Sequence, residues 1–455
     1  MSKPSVRRRN KFIFLGIDLV SIILSYVMAF QIRFDQIAQR NIDSFISLTP
    51  WILLISLFFI SVYELYNVQR RSRWDIIRDI LVANTFIVFI IMAFSFFFRQ
   101  FALPRTVIVI AYLISIGLMI LWKLIYLKLK NANNIEKILV VGTNHNDMRY
   151  LVENLKKTFS NKARISTANV NHIESIEGLI RVNDMIAISP DINEKLKTKI
   201  IYESVSKNKT VYIVPSAYEL ILTRSNITSF EDSMVLTVKP LGLTLDQQLI
   251  KRVFDIVFSL ISIIILSPIF LLAIILIKFE SPKGSIFYGQ KRMGRYNREF
   301  TIFKFRSMVE DAEKYTGPVL ASSNDMRVTK IGKFLRATRI DELPQLFNVI
   351  TGDMSIVGPR PEREHFIKEF EKKHESYKYR STVKPGITGI AQVMGKYSTS
   401  VEDKLRYDLY YIRNYSLWLD ILLLLRTVIV VLDKTKSEGT ELKDNSKLKR
   451  KKLLS

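Results

Sequence analysis

Apolar and polar positions divide the chain into stretches of different character. Four apolar runs come first: Phe12 to about Phe34, Ile46 to about Tyr66, Ile76 to Phe98, and Thr106 to about Leu127. Each has about the 20 residues a bilayer requires, and buried helices of soluble proteins rarely run so far without a polar face. Four transmembrane helices are therefore expected over residues 1–130. After Lys130 the polar stretch NANNIE reads as a linker, and the period changes. Short apolar segments at Lys137–Val141, Arg164–Val170, Asp184–Ser189 and Thr210–Val214 predict strands. Amphipathic stretches at Asp147–Phe159, Ile173–Arg181 and Asn193–Lys207 predict the helices between them. This alternation predicts a Rossmann-like parallel α/β domain over residues 131–240.

A fifth apolar run, Val253–Ile277, follows a composition shift at TVKPLGLTLDQQLIKR and carries Ser267 and Pro268 at its middle. Proline removes an amide and clashes with the preceding turn, so a break or kink is expected there, with serine satisfying a freed carbonyl. Length alone favours a kinked fifth span. The residues beyond Lys278 argue instead for a re-entrant helix, because spanning would put a basic, phosphate-friendly region outside the cell, away from nucleotide substrates. A third domain is thus expected over residues 245–435, with the re-entrant helix at 253–277. The basic tail 436–455, ending KLKRKKLLS, reads as disordered and close to lipid headgroups.

Charge sets the orientation. Arg7, Arg8, Arg9 and Lys11 precede the first run, Arg70, Arg71 and Arg73 follow the second, and Lys123, Lys128 and Lys130 close the fourth. The positive-inside rule puts the N-terminus and the chain after Lys130 in the cytoplasm. The first run is too long for a cleaved signal peptide and ends in no small-residue cleavage site. A net charge of +25, from 67 basic and 42 acidic residues, would suggest nucleic acid in a soluble chain. With four spans the expected partner is the anionic inner leaflet, and no nucleic acid. The absence of cysteine excludes disulfides and thiolate metal sites, and the four histidines form no ligand cluster.

Candidate chemistry gathers in RATRIDELPQLFNVITGDMSIVGPRPE, Arg336 to Glu362. Asp341 and Glu342 precede Pro344 at a predicted helix start, where backbone amides would hold a carboxylate ionised and attract phosphate. Acids in a first helical turn are usually caps, so the surroundings decide. Here the surroundings are cationic: Lys291, Arg292, Lys304, Arg306, Arg327, Lys330, Arg336, Arg339, Arg360 and Lys384. In TIFKFRSM the period-two pattern places Lys304 and Arg306 on one strand face, able to clamp a diphosphate. GPRPE frames Arg360 with prolines that fix its backbone, and KPGITG is a second rigid turn. An ionised Asp among cations is a competent nucleophile toward phosphorus. By contrast, KILVVGTNHN has one of the three glycines of a dinucleotide fingerprint, and no acid closes the second strand. The middle domain therefore reads as regulatory, scaffolding or dimerising.

From about Leu249 to Leu432 the chain resembles the bacterial sugar transferases. These are the monotopic polyprenyl-phosphate phosphoglycosyl transferases that start exopolysaccharide, capsule and O-antigen repeat units. The strings that carry the resemblance are KRVFDI, Ser267 with Pro268, YGQKRMGRYNREFTIFKFRSM, RVTKIGKFLRATRIDELPQLFNVITGDMSIVGPRPE, KPGITGIAQVMG and DLYYIRNYS. Four spans and a Rossmann-like domain before that core resemble the long form. The fold class is accordingly membrane α plus α/β: four transmembrane helices, a Rossmann-like domain, and a C-terminal α/β catalytic domain with a re-entrant membrane helix.

The resemblance implies that Asp341 attacks the β-phosphate of a UDP-sugar, expels UMP and carries the hexose-1-phosphate as an aspartyl phosphate. Polyprenyl (undecaprenyl) phosphate then takes up the phosphosugar. It also implies that Glu342 positions the group or assists proton transfer, and that Mg2+ screens the diphosphate near Asp341. Lys304, Arg306 and Arg360 are the implied phosphate contacts, with Asp408 in the nucleotide or metal environment. Ser267 and Pro268 carry the re-entrant break. Helices lying in the interface are implied too, and the apolar stretch Ser416–Leu432 suits one. The implied location is the bacterial inner membrane with the catalytic domain cytoplasmic, and the long form suggests a homodimer. Two rivals remain, a membrane-bound nucleotide-sugar dehydratase and a non-enzymatic scaffold. The first needs a complete dinucleotide fingerprint and a Tyr-x-x-x-Lys couple that VVGTNHN and its surroundings do not supply. No residue can be assigned to reading the identity of the sugar.

Overall fold

The computed structural model describes residues 3–68, 72–97, 103–130, 135–159, 163–170, 176–309, 327–396 and 399–433. Most of the expected linker and the basic tail 436–455 lie outside these residues. The chain divides into two compact units, Met1–Val214 and Pro215–Ser455.

In the first unit the four apolar runs form α1 (Lys3–Arg33), α2 (Gln39–Val62), α3 (Arg73–Phe97) and α4 (Arg105–Lys130), each long and apolar enough to cross a membrane. Among the described residues their interior holds a fully buried ion pair. Lys123 of α4 donates to both oxygens of Asp18 on α1, at 2.8 and 2.7 Å, and to the carbonyl of Leu65 at 3.1 Å. Trp122 donates to the same carboxylate at 3.0 Å. Both charged groups are fully buried, which is tolerable in an apolar interior only because every donor and acceptor meets a partner.

The second half of this unit is the expected parallel domain. It runs β1 (Glu136–Gly142), α5 (His145–Phe159), β2 (Ala163–Asn169), α6 (Glu177–Val182), β3 (Met185–Ile188), α7 (Glu194–Ser206) and β4 (Thr210–Ile213). All four strands pair in parallel in the order β2-β1-β3-β4. The central strand β1 is buried on both faces, Leu139 and Val141 toward one core and Ile138 and Val140 toward the other, as a parallel sheet covered by helices demands. In the turn after β1 the amides of Thr143 and Asn144 and the Thr143 hydroxyl all donate to the carboxylate of Asp191. Dinucleotide folds receive a pyrophosphate in that turn, whereas here the chain's own carboxylate fills it.

The second unit contains α8 (Ala217–Leu222), β5 (Asn226–Phe230), β6 (Ser233–Thr237), α9 (Leu245–Glu280), β7 (Phe287–Met293), β8 (Glu299–Phe305), α10 (Lys330–Ala337) and α11 (Gln345–Thr351). It continues through β9 (Ser355–Val357), α12 (Glu364–Lys373), β10 (Gly386–Thr388), α13 (Ile390–Met394), α14 (Val401–Arg413) and α15 (Leu417–Leu432). The α/β expectation changes here. Among the described residues the strands form only two-stranded sheets, antiparallel β5–β6 and β7–β8 and parallel β9–β10. Helices enclose them, and one core joins Phe270 and Ile277 of α9, Phe305 of β8, Val349 of α11, Val357 of β9 and Leu423 of α15.

The expected interruption at Ser267–Pro268 is also absent as a break. The helix α9 is continuous over 36 residues with Pro268 inside it. Pro268 has no amide to offer the carbonyl of Ile264 four residues back, and the Ser267 hydroxyl donates to that carbonyl at 2.8 Å instead. One face of α9 is buried at helical spacing, through Lys251, Asp255 and Ser259 in its first half and Phe270, Ala273 and Ile277 in its second. Its middle presents Leu260, Ile261, Ile264 and Ile265 outward. The apolar helix α15 divides similarly: Asp420 and Leu423 are buried while Trp418 and Leu432 are exposed.

Replacing Lys123 by Met should leave Asp18 charged and buried without its partner, lowering stability by about 3–5 kcal/mol. Adding Asp18→Asn should recover most of that loss. Unfolding midpoints of the purified protein in detergent check both, and equal losses in the single and double variants would contradict the pairing.

Candidate active site

The two carboxylates stand on a tight turn. Arg339 has left-handed backbone angles, φ 57° and ψ 17°, and the chain then passes through a 3-10 turn, Ile340–Glu342, into α11. A non-glycine residue in that region costs roughly 1–2 kcal/mol, so the strain falls immediately before Asp341. The amides of Glu342 and Leu343 are used inside this turn, donating to Arg339 and Ile340 carbonyls at 3.2 and 3.1 Å. The acids are thus not held by helix-start amides as expected, because the turn consumes those amides. Side-chain cations hold one of them instead.

Glu342 is the hub. Its Oε1 accepts from Lys304 Nζ at 3.0 Å and from Arg360 Nη2 at 2.8 Å, and Arg339 lies 4.0 Å from Oε2. Burial alone would push this carboxyl up, but attraction to Arg360 and Lys304 outweighs it and holds Glu342 well below the usual carboxylate range. Asp341 shows the opposite result. Burial, and then repulsion from Glu342, raise its pKa to about 6 against the pull of Lys304, Arg336 and Arg360. Adjacent acids thus differ: one is a fixed counter-ion, the other a basic carboxylate 8% exposed.

Each cation is aimed by structure around it. Lys304 lies near the end of β8, whose neighbouring backbone is tied to α11 by the fully buried Asn348. The Asn348 side chain accepts from the Phe303 amide at 2.9 Å and donates to the Thr301 carbonyl at 2.8 Å, replacing a missing neighbouring strand. Arg360 sits in a turn whose carbonyls are all engaged. Pro359 accepts from the Gly386 amide at 2.9 Å, and Arg360 from Arg380 Nη2 at 3.0 Å. Pro361 accepts from Arg292 Nη1 at 3.2 Å, and Glu362 from the Met293 amide at 3.0 Å. The β9–β10 contact beneath it needs glycine, since a Cβ on Gly386 would come within 2.0 Å of the Gly358 nitrogen.

The structure brings Asp341, Glu342, Lys304 and Arg360 together. Arg306 follows β8 and lays its guanidinium against Gly284. Asp408 is buried on α14 and pairs with Arg380 at 2.6 Å, so it reaches the site through Arg380 and the Arg360 carbonyl, not through the carboxylates. Burial, ahead of the pull of Arg380, pushes the Asp408 carboxyl up. Among the described residues no three acids or histidines gather as a metal site. Sequence reasoning missed Arg380 and Asn348, which carry no pattern of their own. It also missed Lys251, whose ammonium pairs with Asp420 at 2.5 Å while Tyr411 donates to the same carboxylate at 2.8 Å. The signal for that pair was a basic residue heading one apolar stretch and an acid near the start of another.

A family model described as bacterial sugar transferase matches residues 246–434. A UDP-N-acetylgalactosamine-undecaprenyl-phosphate N-acetylgalactosaminephosphotransferase of Aeromonas hydrophila is 47% identical over 40% of the chain and 44% of its own length. An undecaprenyl-phosphate galactose phosphotransferase of Salmonella typhimurium is 29% identical over 93% of the chain and 94% of its own length. The exopolysaccharide production protein ExoY of Sinorhizobium fredii is 38% identical over 40% of the chain and 84% of its own length. The chain spans about half the length of several other curated relatives it matches.

Asn348→Leu should unpair the Phe303 amide and the Thr301 carbonyl, costing about 1–3 kcal/mol for each group left buried and unsatisfied. Hydrogen exchange should quicken in β8 and spare β1, and unchanged protection of residues 300–304 would contradict the tie.

Proposed function

The chain belongs to the bacterial sugar transferase family, and on that premise we propose that it moves a hexose-1-phosphate from a UDP-sugar to undecaprenyl phosphate and releases UMP. The observation that carries this reading is the pairing of a basic, buried Asp341 with a Glu342 already neutralised by Lys304 and Arg360. A carboxylate with a pKa near 6 is ionised at neutral pH yet more nucleophilic than an ordinary aspartate. One Asp341 oxygen forms a bond to the β-phosphorus, the bond from that phosphorus to the bridging oxygen breaks, and the electron pair leaves with UMP. An oxygen of undecaprenyl phosphate then attacks the same phosphorus and restores the Asp341 carboxylate. Lys304 and Arg360 have donors beyond those given to Glu342 with which to meet the diphosphate. Glu342, held ionised at neutral pH, suits positioning of these cations better than proton transfer.

The residues also fit Mg2+. With one Glu342 oxygen engaged by cations, Asp341 and the substrate's own phosphates would hold the ion, which commonly takes one or two carboxylates and keeps several waters. Its chemistry there is charge screening of the diphosphate.

For topology we place the catalytic unit on the cytoplasmic face of the bacterial inner membrane, with α9 dipping into the bilayer and returning to the same face, Ser267 and Pro268 marking a bend that leaves the helix unbroken. The chain has no native cysteine, so single cysteines at Gln248 and Lys283 report on it directly. A membrane-impermeant thiol reagent should label both from the cytoplasmic side, and labelling from opposite sides would make α9 a span.

Protein in lipid nanodiscs, given Mg2+, undecaprenyl phosphate and a panel of UDP-sugars, should release UMP and form a polyprenyl diphosphate sugar. UDP as the released nucleotide would refute phosphosugar transfer. Asp341→Asn should lower turnover on the order of 10^3-fold or more and abolish acid-stable labelling by β-32P UDP-sugar. Because Asp341 must be ionised to attack, kcat/KM should fall as pH drops below about 6. Glu342→Gln removes the repulsion that raises the Asp341 pKa, so whatever activity remains should show its acid limb at lower pH.

A further inference from the structure

Three cations converge where α9 begins its outward-facing apolar stretch. Arg252 lies within that surface, between exposed Leu249 and Ile250 before it and exposed Val253 and Val257 after it. The Arg252 guanidinium donates to the Val349 and Ile350 carbonyls at 2.5 and 2.7 Å, at the end of α11. Beside it lies Lys384: a Cβ on Gly352, whose φ is +98°, would sit 3.4 Å from Arg252 Nη2 and 3.5 Å from Lys384 Nζ. Arg295 completes the group, with its donors on the Thr382 carbonyl at 3.2 Å, Gln248 Oε1 at 2.8 Å and the Tyr296 hydroxyl at 2.9 Å. Among the described residues none of the three is within ion-pair distance of a carboxylate, and Lys384 makes neither hydrogen bond nor ion pair. The acids nearby, Asp255 and Asp353, attract Lys384 from a distance without pairing with it; Asp255 accepts from the Ile356 amide at 3.1 Å and Asp353 from the Thr351 hydroxyl at 2.9 Å.

Half-buried like charges repel, and such a group persists at low cost only when an anion completes it. Burial, and then repulsion from Arg252, push the Lys384 ammonium down; Asp255 pulls it back, Arg295 adds a smaller repulsion and Asp353 a smaller attraction, and the net shift is downward, the direction an incoming anion would reverse. The position of the cluster narrows the anion. The Lys384 carbonyl lies against Gly358, since a Cβ there would come within 2.5 Å of it, and Gly358 opens the turn that carries Arg360. One side of the cluster thus borders the apolar surface of α9 and the other backs the catalytic turn.

We propose that Arg252, Arg295 and Lys384 form a second phosphate site, separate from the Asp341 centre, that takes the phosphate headgroup of a membrane lipid. This rests on the transferase reading above only for its identification with the acceptor, because undecaprenyl phosphate and a phospholipid present the same headgroup chemistry. Lys384 is the ligand least engaged by the protein, and so the one most available to the lipid.

The test uses the full chain in nanodiscs containing undecaprenyl phosphate, phosphatidylglycerol, or a neutral lipid with inorganic phosphate. Lipid retained on the protein is read by native mass spectrometry, with no UDP-sugar present. Wild type should retain a phosphate lipid, and Lys384→Met should weaken retention about ten- to a hundredfold, the loss of one charge-assisted hydrogen bond, while Lys384→Arg restores it. Retention of undecaprenyl phosphate over phosphatidylglycerol assigns the site to the acceptor, and the reverse assigns it to a boundary lipid. Equal retention of both lipids by wild type and Lys384→Met overturns the proposal. If Lys384→Met does not fold, Arg295→Gln replaces it with the same expectations. Failure of the transferase reading would appear elsewhere, as an absence of labelling at Asp341 in wild type.

Discussion

The arrangement of the second unit depends on the carboxylate of Glu342. Lys304 and Arg360 come from segments far apart in sequence, a strand end and a proline-framed turn, and both meet the same oxygen. Without a shared counter-ion, two cations this close would repel each other and drift toward water. With it they are fixed, and the neighbouring Asp341 is left as the one acid of the pair that still titrates near neutrality. One acid gives up its chemistry to organise cations, and the other is made basic by burial beside it.

Fixing the cations requires a rigid frame, and the frame is built largely from backbone hydrogen bonds. The Arg360 turn has two prolines, which remove two amides, and its four consecutive carbonyls are met by donors from β7, from β10 and from Arg380. Asp408 serves this turn by orienting Arg380. Asn348 does the same for β8, substituting one side chain for a neighbouring strand. Such groups hold little conformational freedom in reserve, which is how a charged cluster stays ordered where the described strands pair only two by two.

Both units also bury an ion pair in otherwise apolar surroundings, Asp18 with Lys123 in the first and Asp420 with Lys251 in the second. Desolvating two charges costs about as much as their attraction returns, so these pairs contribute less to stability than to register. A slip of either helix by one residue would strand a charge in apolar packing. The second pair has a further consequence: the single hydroxyl hydrogen of Tyr411 is shared between Asp420 at 2.8 Å and the Val357 carbonyl at 3.0 Å, which ties α15 and α9 to the strand that leads into the Arg360 turn.

By itself the sequence determined whatever depends on local period and on unusual residue types. Twenty-residue apolar runs read as long apolar helices, and the alternation of strands and helices over residues 131–240 read as a parallel sheet. Asp341, Glu342, Lys304 and Arg360 stood out as charges in a compact run of motifs. Tertiary structure decided what depends on partners distant in the chain. It showed that the acids lie on a strained turn whose amides are already used, and that Asp408 supports Arg380. It also showed that Pro268 sits inside an unbroken helix because Ser267 takes over the orphaned carbonyl. The difference between Asp341 and Glu342 was beyond any local pattern. The two residues are adjacent and chemically alike, and only the direction from which Lys304 and Arg360 approach makes one a counter-ion and the other a base.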